Sequence, residues 1–489
     1  MGFGGAKVST TLLFVVLARL LTPQDFGVVA IAIVFVALLQ LLVEGGFRDA
    51  LIQRAELERG HVDTVFWTSV STGVLLAGCL VLAAGPLSVL YREPLLAQIL
   101  PVLTVGLLAS ALGATQVAQL RRALRFRPLA IRAIISNVVA GAAAVVVALL
   151  GGGVWALVMQ YVVLNIVQTL LLWVLASSCP GLTVTRRHFR DLFGFSRNSL
   201  GTQLLQFTNN RGDDFLIGAV LGPGPLGLYS VAYRLLTTLN DVINRSLLGV
   251  AFPVFSRLQD EPDRLRNAYC LVLKVGTALA FPGFLFFTVA APEVVEVVFG
   301  HQWLLAAPVM AVLSIFGALQ TALMITDSCL QAIGRPEVVF RIRMVNTGVQ
   351  VAAFAVAAPF GIVWVAWSLV ARAYLLAVLP VSALIRARVV DLRSWLRSFL
   401  TPVLATAVML AAMVAVRVAL LAHAGPGLRL MAMMAAAAVT YPAVLAVIDR
   451  AILRELVAVV VPGRRTRFDG RAGPRSPAPA TALAVDRDG

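Results

Sequence analysis

Charge is what this sequence has least of. Of its 489 residues only 13% are Asp, Glu, Lys or Arg, while 60% are hydrophobic and the mean hydropathy is +0.90. Soluble domains carry about 25% charged residues. A chain this apolar cannot hide its surface in a water-soluble fold, which excludes a cytosolic enzyme, a disordered protein and a secreted disulfide scaffold. Cysteine and histidine are scarce as well. Cys79, Cys179, Cys270 and Cys329 lie far apart, as do His61, His188, His301 and His423. With no CxxC and no Cys/His cluster in the sequence, neither a disulfide framework nor a zinc site is expected, and no metal or cofactor is assigned. GxSxG, HExxH, Walker A and paired metal-binding carboxylates are all missing, so no enzyme constellation is present. Gly151-Gly-Gly153 reads as an external turn. Acidic residues are the scarcer sign, 24 against 40 Lys+Arg for a net charge of +16. In a soluble protein that balance would suggest nucleic acid. Here the basic residues sit in short loops between apolar runs, and no nucleic-acid partner is expected.

What is abundant is apolar sequence in lengths that match a bilayer. A helix crosses the hydrocarbon core in about 20 residues. Fourteen stretches qualify: 4–21, 28–43, 62–84, 95–118, 128–150, 154–176, 194–220, 226–253, 268–291, 303–330, 338–358, 362–384, 398–422 and 429–449. The expected fold is all-α, a polytopic membrane protein with about 14 transmembrane helices. No cleavable signal peptide precedes the first stretch. The loops after even-numbered stretches hold 20 Lys/Arg, among them Arg121, Arg122, Arg125 and Arg127 in a single loop. The loops after odd-numbered stretches hold about two, Arg92 and Arg429. The positive-inside rule makes the even loops and both termini cytoplasmic. The Pro-, Gly- and Arg-rich end of the chain reads as a disordered cytoplasmic tail, with Arg464, Arg465 and Arg467 near membrane lipid.

The chain also repeats itself. Leu21-Thr-Pro23-Gln-Asp-Phe-Gly27 returns as Leu221-Gly-Pro223-Gly-Pro-Leu-Gly227, Arg127-Pro128 as Arg335-Pro336, Asn137 as Asn346 and Trp155 as Trp364. Six stretches per unit bring the chain back to the same side, so the halves are parallel repeats with a site between them. The organisation expected is a six-helix lobe over 1–176, a cytoplasmic linker over 177–193, a second six-helix lobe over 194–385, two additional transmembrane helices over 386–450 and a tail over 451–489. By the repeat, the first helix lacks about ten residues at its start.

Polar groups inside spans are expensive and face a cavity or a partner. The seventh stretch is the most polar: Gln203, Gln206, Asn210, Asp213 and Asp214 share one arc, with Arg211 beside it. The eighth carries Tyr229, Tyr233, Thr237, Asn240 and Asn244 on one face and Arg234, Asp241 and Arg245 on another. Two readings stand open for each residue, lining of a hydrated cavity or internal pairing such as Arg211 with Asp214. As a set they fit a cavity in which arginines meet phosphate and amides meet sugar hydroxyls. Lys7 and Arg48 are further cavity candidates, and Asp327 is a candidate for a coupling ion. Lys274 and Arg417 are expected to snorkel, and Arg372 needs an internal partner.

Two groups of strings then point to a family. LARLLTPQDFGVVAIAIVF (17–35) and GGFRDALIQR (45–54) resemble the opening of Wzx-type flippases of the WzxC-like polysaccharide-export branch. These belong to the multidrug/oligosaccharidyl-lipid/polysaccharide (MOP) exporter superfamily. DDFLIGAVLGPGPLGLYSVAYRL (213–235), FPVFSRLQ (252–259) and AIGRP (332–336) resemble the same branch. The resemblance runs from about residue 8 to 450. It implies a flippase that moves an undecaprenyl-diphosphate-linked oligosaccharide, a surface polysaccharide repeat unit, across the plasma (inner) membrane by alternating access. It also implies a cationic cavity between two lobes, and a polysaccharide polymerase and glycosyltransferases as partners. The family's Asp before the LIG string corresponds to Asp213, and its Tyr-Arg pair to Tyr233-Arg234. The order Asn210-Arg211 departs from the family's usual Arg-Asn, and the short first helix is a second departure. The competing expectation is a cation-coupled drug or metabolite exporter of the same superfamily.

Overall fold

The computed structural model describes residues 2–44, 47–54, 57–175, 180–420 and 424–460. Side chains are described for all of these except 2–9, 195, 198, 210, 244–246, 248, 250 and 457–460. Among them the chain is helical, with no strand. The helices are α1 (Gly2–Leu20), α2 (Pro23–Glu44), α3 (Phe47–Gln53), α4 (Arg59–Leu90), α5 (Leu95–Arg122), α6 (Phe126–Leu149), α7 (Val154–Leu175), α8 (Arg186–Leu221), α9 (Pro223–Arg257), α10 (Pro262–Val298), α11 (Ala307–Ala332), α12 (Pro336–Ala357), α13 (Ile362–Leu376), α14 (Val378–Arg386), α15 (Leu392–Leu420), α16 (Pro426–Ile448) and α17 (Arg450–Val460). Short 3-10 turns lie at His301–Ala306 and Ala358–Phe360.

Ten of these segments are long and apolar enough to cross a membrane: α2, α4, α5, α6, α7, α10, α11 with its 3-10 lead-in, α13 with α14, α15 and α16. This is a multi-pass membrane protein. Every stretch expected from the sequence is helical, but the expected count of fourteen is not reached on length and apolarity. α1 is short in its apolar part, and α8, α9 and α12 carry charged side chains along their length. Leu82, Val174 and Val447 leave 81%, 81% and 85% of their surface uncovered, as side chains facing lipid do.

Two boundaries differ from expectation. α8 begins at Arg186, inside the expected linker, because Thr185 caps it by accepting the His188 N–H and Leu192 is buried. The expected tail is helical over Arg450–Val460. Ile452 and Leu456 are buried there, and α17 packs on α10 and α16. The remaining tail, 461–489, lies outside the described residues.

The helix pairings of the first part recur in the second. α4 with α5, α6 with α7, α5 with α7, α2 with α5 and α1 with α6 correspond to α10 with α11, α12 with α13, α11 with α13, α9 with α11 and α8 with α12. The two sets meet along α2 and α9. At that crossing each set presents bare backbone. A Cβ on Gly27 would lie 1.7 Å from the Pro223 carbonyl oxygen, and one on Gly227 would lie 1.9 Å from that of Pro23. Local chemistry sets both helix starts. Thr22 and Asp25 form a reciprocal cap, Asp25 Oδ2 accepting the Thr22 N–H at 2.9 Å and Thr22 Oγ1 accepting the Asp25 N–H at 3.2 Å. Gly222, at φ +83°, makes the turn into Pro223, the first residue of α9.

The same end of the interface is tied by hydrogen bonds. Trp303 Nε1 donates to the Ala18 carbonyl at 2.7 Å, Gln302 Nε2 to Ala18 and Leu21 at 2.9 and 3.0 Å, and Arg19 Nε to Val298 at 2.9 Å. Phe14, Phe26, Phe299 and Trp303 pack edge to face around them. α15 and α16 pack against the outside of α10. Buried Glu293 of α10 binds Arg417 of α15 at 2.9 Å and faces Arg429 of α16 at 3.8 Å. The snorkelling expected of Arg417 is replaced by this pair. Lys274 likewise pairs with Asp449 at 2.5 Å.

Candidate functional site

Toward the other end of the interface α3 and α4 of the first set reach α8 of the second. A cavity of about 410 Å³ opens between α2 and α8, lined by Ala37, Leu41, Arg48, Gln203, Gln206, Phe207 and Arg211. Leu41 lies eighteen residues along α2 from Pro23, about 27 Å at 1.5 Å per residue. One helical face of α8 supplies Gln203, Phe207 and Arg211 at i, i+4 and i+8, with Gln206 beside them. α2 supplies the apolar wall, and Arg48 enters from α3.

Both arginines have carboxylate partners. Arg211 binds Asp214 at 3.0 Å, one turn along α8. Arg48 binds Glu44, and its Nε lies 3.8 Å from Asp49 Oδ1. A guanidinium has five N–H donors in a planar fork, so these pairings still leave donors for a ligand. The cavity floor is braced by Asp49, which accepts from Ser199 Oγ at 3.1 Å and from Gln203 Nε2 at 3.0 Å. This joins α3 to α8.

Asp213 is not among the residues that line the cavity. It is buried and accepts from the Tyr229 hydroxyl of α9 at 2.8 Å. Tyr229 stacks on Tyr233, ring centroids 5.8 Å apart. Arg234, the next residue, lies over the Phe14 ring of α1 at 5.8 Å, between the two helix sets. Asn240 is half-buried on α9. Asp327 pairs with Arg343 of α12 at 3.4 Å, outside the cavity. Arg372 donates to Asn346 Oδ1 at 3.3 Å. Lys7, Asn210, Asn244 and Arg245, also expected in the cavity, lie outside the described side chains.

The structure thus brings Arg48, Gln206 and Arg211 into one cavity and places Asp213, Asp214, Arg234 and Asp327 in pairings or at the lobe contact. Sequence reasoning missed Asp49 and Ser199. Asp49 reads as ordinary loop charge, and only the fold carries it to α8, 150 residues away. The scattered histidines are a second correction. His61 and His188 meet, with ring centroids 4.2 Å apart.

Known proteins of like sequence and shape agree with the strings singled out above. The "Polysaccharide biosynthesis protein" family matches residues 16–308. The succinoglycan biosynthesis transport protein ExoT of Rhizobium meliloti (strain 1021) is 29% identical over 325 residues, 66% of each chain. The lipopolysaccharide biosynthesis protein WzxC of Escherichia coli (strain K12) is 25% identical over 338 residues, 68% of each chain. The chain therefore spans just under two thirds of the first of these relatives and slightly more of the second. In shape it is similar to the lipid II flippase MurJ in an inward closed conformation, with a TM-score of 0.75, 12% identity, and coverage of 93% of this chain and 99% of that one. At that identity the likeness concerns the fold alone.

Proposed function

The chain belongs to the polysaccharide biosynthesis protein family, and on that premise we propose that it is a flippase. It moves an undecaprenyl-diphosphate-linked oligosaccharide from the inner to the outer leaflet of the plasma membrane by alternating access, and is not an enzyme. The observation that carries this reading is the cavity between α2 and α8, where Arg48 and Arg211 stand with Gln203 and Gln206 against an apolar wall. A diphosphate brings about two negative charges, which cannot leave water without cationic partners. The two guanidinium forks supply them and the amides suit sugar hydroxyls, while the lipid tail stays in the bilayer. The names of ExoT and WzxC, both attached to polysaccharide biosynthesis, support the same substrate class.

The topology belongs to the proposal. α1, α8, α9 and α12 cross the membrane with the ten apolar segments, giving fourteen spans in two parallel six-helix lobes (1–176 and 194–385) plus α15 and α16. Both termini are cytoplasmic, and a polymerase and glycosyltransferases work on the same repeat unit. The second reading, a cation-coupled exporter, is favoured only by the adjacent buried carboxylates Asp213 and Asp214.

The test is complementation of a strain lacking the gene, scored by the accessibility of lipid-linked oligosaccharide to an external glycan-modifying enzyme. Arg48→Gln and Arg211→Gln each cut outer-leaflet oligosaccharide by about tenfold or more, the loss expected from about 1.4 kcal/mol of substrate interaction. Arg264→Gln, which removes an exposed ion pair with Glu261, leaves it unchanged. Normal export by both cavity variants removes the diphosphate assignment.

A further inference from the structure

Apart from the cavity between α2 and α8, a second polar pocket of about 300 Å³ lies between α10 and α15. α10 supplies Arg266, Asn267 and Lys274 to its lining, and α15 supplies Ser394, Arg397 and Ser398. From these side chains we infer that the pocket binds the phosphate of an anionic phospholipid headgroup, at the level where α15 enters the membrane and α16 leaves it. None of these residues lines the α2/α8 cavity, and the inference rests on no step of the transport cycle.

Helix periodicity brings the cations together. Arg266, Cys270 and Lys274 stand at i, i+4 and i+8 on one face of α10, with Asn267 beside them, so the two cations are about 12 Å apart along the axis. Ser394, Arg397 and Ser398 stand at i, i+3 and i+4 on the facing side of α15. The neighbours fix the level of the pocket. Lys274 Nζ lies 2.5 Å from Asp449 Oδ2, and Asp449 directly follows the end of α16 at Ile448. Leu392, Leu396 and Leu400 run along the adjoining face of α15 with 54%, 54% and 59% of their surface uncovered. Lipid tails are as apolar as leucine, so a headgroup seated at Arg397 has its acyl chains against these side chains. That face is what favours a lipid phosphate over a soluble one.

The acids nearby leave donors over. Lys274 has Asp449, and Arg266 Nη2 has Asp263 at 2.8 Å, one turn toward the start of α10. The Asp263 side chain is 85% exposed, and ion pairs that open to water hold weakly. Asp391, also beside the pocket, caps α15 by accepting the Ser394 N–H at 3.0 Å. Among the described residues Arg397 has no carboxylate partner and the Asn267 amide makes no side-chain hydrogen bond. A free guanidinium fork and an amide donor thus stand beside a half-buried ammonium and a second guanidinium. A phosphodiester brings one negative charge and unesterified oxygens that only accept, which suits this set. Basic charge that serves topology alone needs no pocket. Basic pockets between helices at the membrane surface are where anionic headgroups seat.

The experiment uses the full chain, delipidated in a neutral detergent and titrated with dioleoylphosphatidylglycerol, dioleoylphosphatidylcholine or inorganic phosphate. Bound lipid is counted by native mass spectrometry, and the thermal midpoint is read alongside. Phosphatidylglycerol is expected to bind and to raise the midpoint. Phosphatidylcholine, with the same acyl chains and no net charge, binds more weakly, and inorganic phosphate does not displace the bound lipid. Arg397→Gln and Arg266→Gln each weaken phosphatidylglycerol binding by about fivefold, the effect of one cation at a charged lipid surface, and together by about 25-fold. Arg397 is exposed and unpaired, so its variant keeps the fold. Arg264→Gln, on the same helix but outside the pocket, changes neither readout. Equal binding of the two lipids, or unchanged binding by the double variant, overturns the site. Displacement of the lipid by inorganic phosphate overturns the lipid source. Binding is read without transport, so neither this site nor the flippase reading stands or falls with the other.

Discussion

Glu293 shows what a single residue contributes inside this membrane protein. It is 2% exposed, and two arginines from different helices converge on one of its oxygens while the other has no hydrogen-bond partner. Removing one partner of a buried pair strands the other, at a cost of about 3–5 kcal/mol. Glu293→Ala is therefore expected to lower the thermal midpoint in detergent strongly. The double variant Glu293→Ala/Arg417→Met recovers part of the loss, because it leaves one arginine stranded, Arg429, and not two. A double variant no more stable than Glu293→Ala would refute the coupling. The pair was not legible in the sequence. Arg417 near a helix end looks like a residue that reaches for the interface, and its partner stands 124 positions away. Arg211 with Asp214 was legible as one of two readings, since both lie on one helix face three residues apart.

Among the helices, the starts are where sequence chemistry acts most directly. Asp391 accepts the Ser394 N–H at 3.0 Å and caps α15. Hydrogen bonds from Ser394, side chain and then backbone, hold its carboxyl below the ordinary carboxylate range. A carboxyl whose folded pKa is depressed stabilises the fold above its unfolded pKa. That contribution is lost as pH falls through the lower, folded value. The midpoint difference between wild type and Asp391→Asn should accordingly be present at neutral pH and disappear in acid, followed by melting across a pH series. A difference that persists in acid would rule out the ionised cap.

The crossing of α2 and α9 makes a second demand at this scale. Gly27→Leu and Gly227→Leu drive a side chain into a proline carbonyl of the other helix, and each is expected to destabilise by at least about 1–3 kcal/mol. Gly78→Leu, with nothing within 4 Å, is the neutral comparison in the same melting assay. Helix existence was legible throughout, because apolar runs of bilayer length admit little else. Helix extent was less so. α8 and α17 run past their apolar parts on amphipathic turns whose buried faces depend on neighbours distant in sequence.

For the whole molecule, the ordered repeat in the sequence anticipated the recurring helix pairings, but not which end is tied and which holds the cavity. That depends on Trp303, Gln302 and Arg19, whose partners are backbone carbonyls without any sequence signature. The proposed topology predicts sidedness. In a background with the four cysteines replaced by serine, Gln206→Cys should react with a membrane-impermeant maleimide only from the cytoplasmic side. Leu305→Cys, 74% exposed near the tied end, should react only from outside. The reverse pattern would invert the orientation.

The paired glycines and prolines give the molecule a fulcrum. Backbone lies against backbone there with no side chain between, so the contact resists a wedge, and the hydrogen bonds of Trp303, Gln302 and Arg19 hold it in place as a pivot. A lever arm runs from it along α2. Turning by about 10° at Pro23 displaces Leu41, about 27 Å away, by about 5 Å. The arginine-bearing end of the interface is where a small rotation at the glycines is felt as a wide opening.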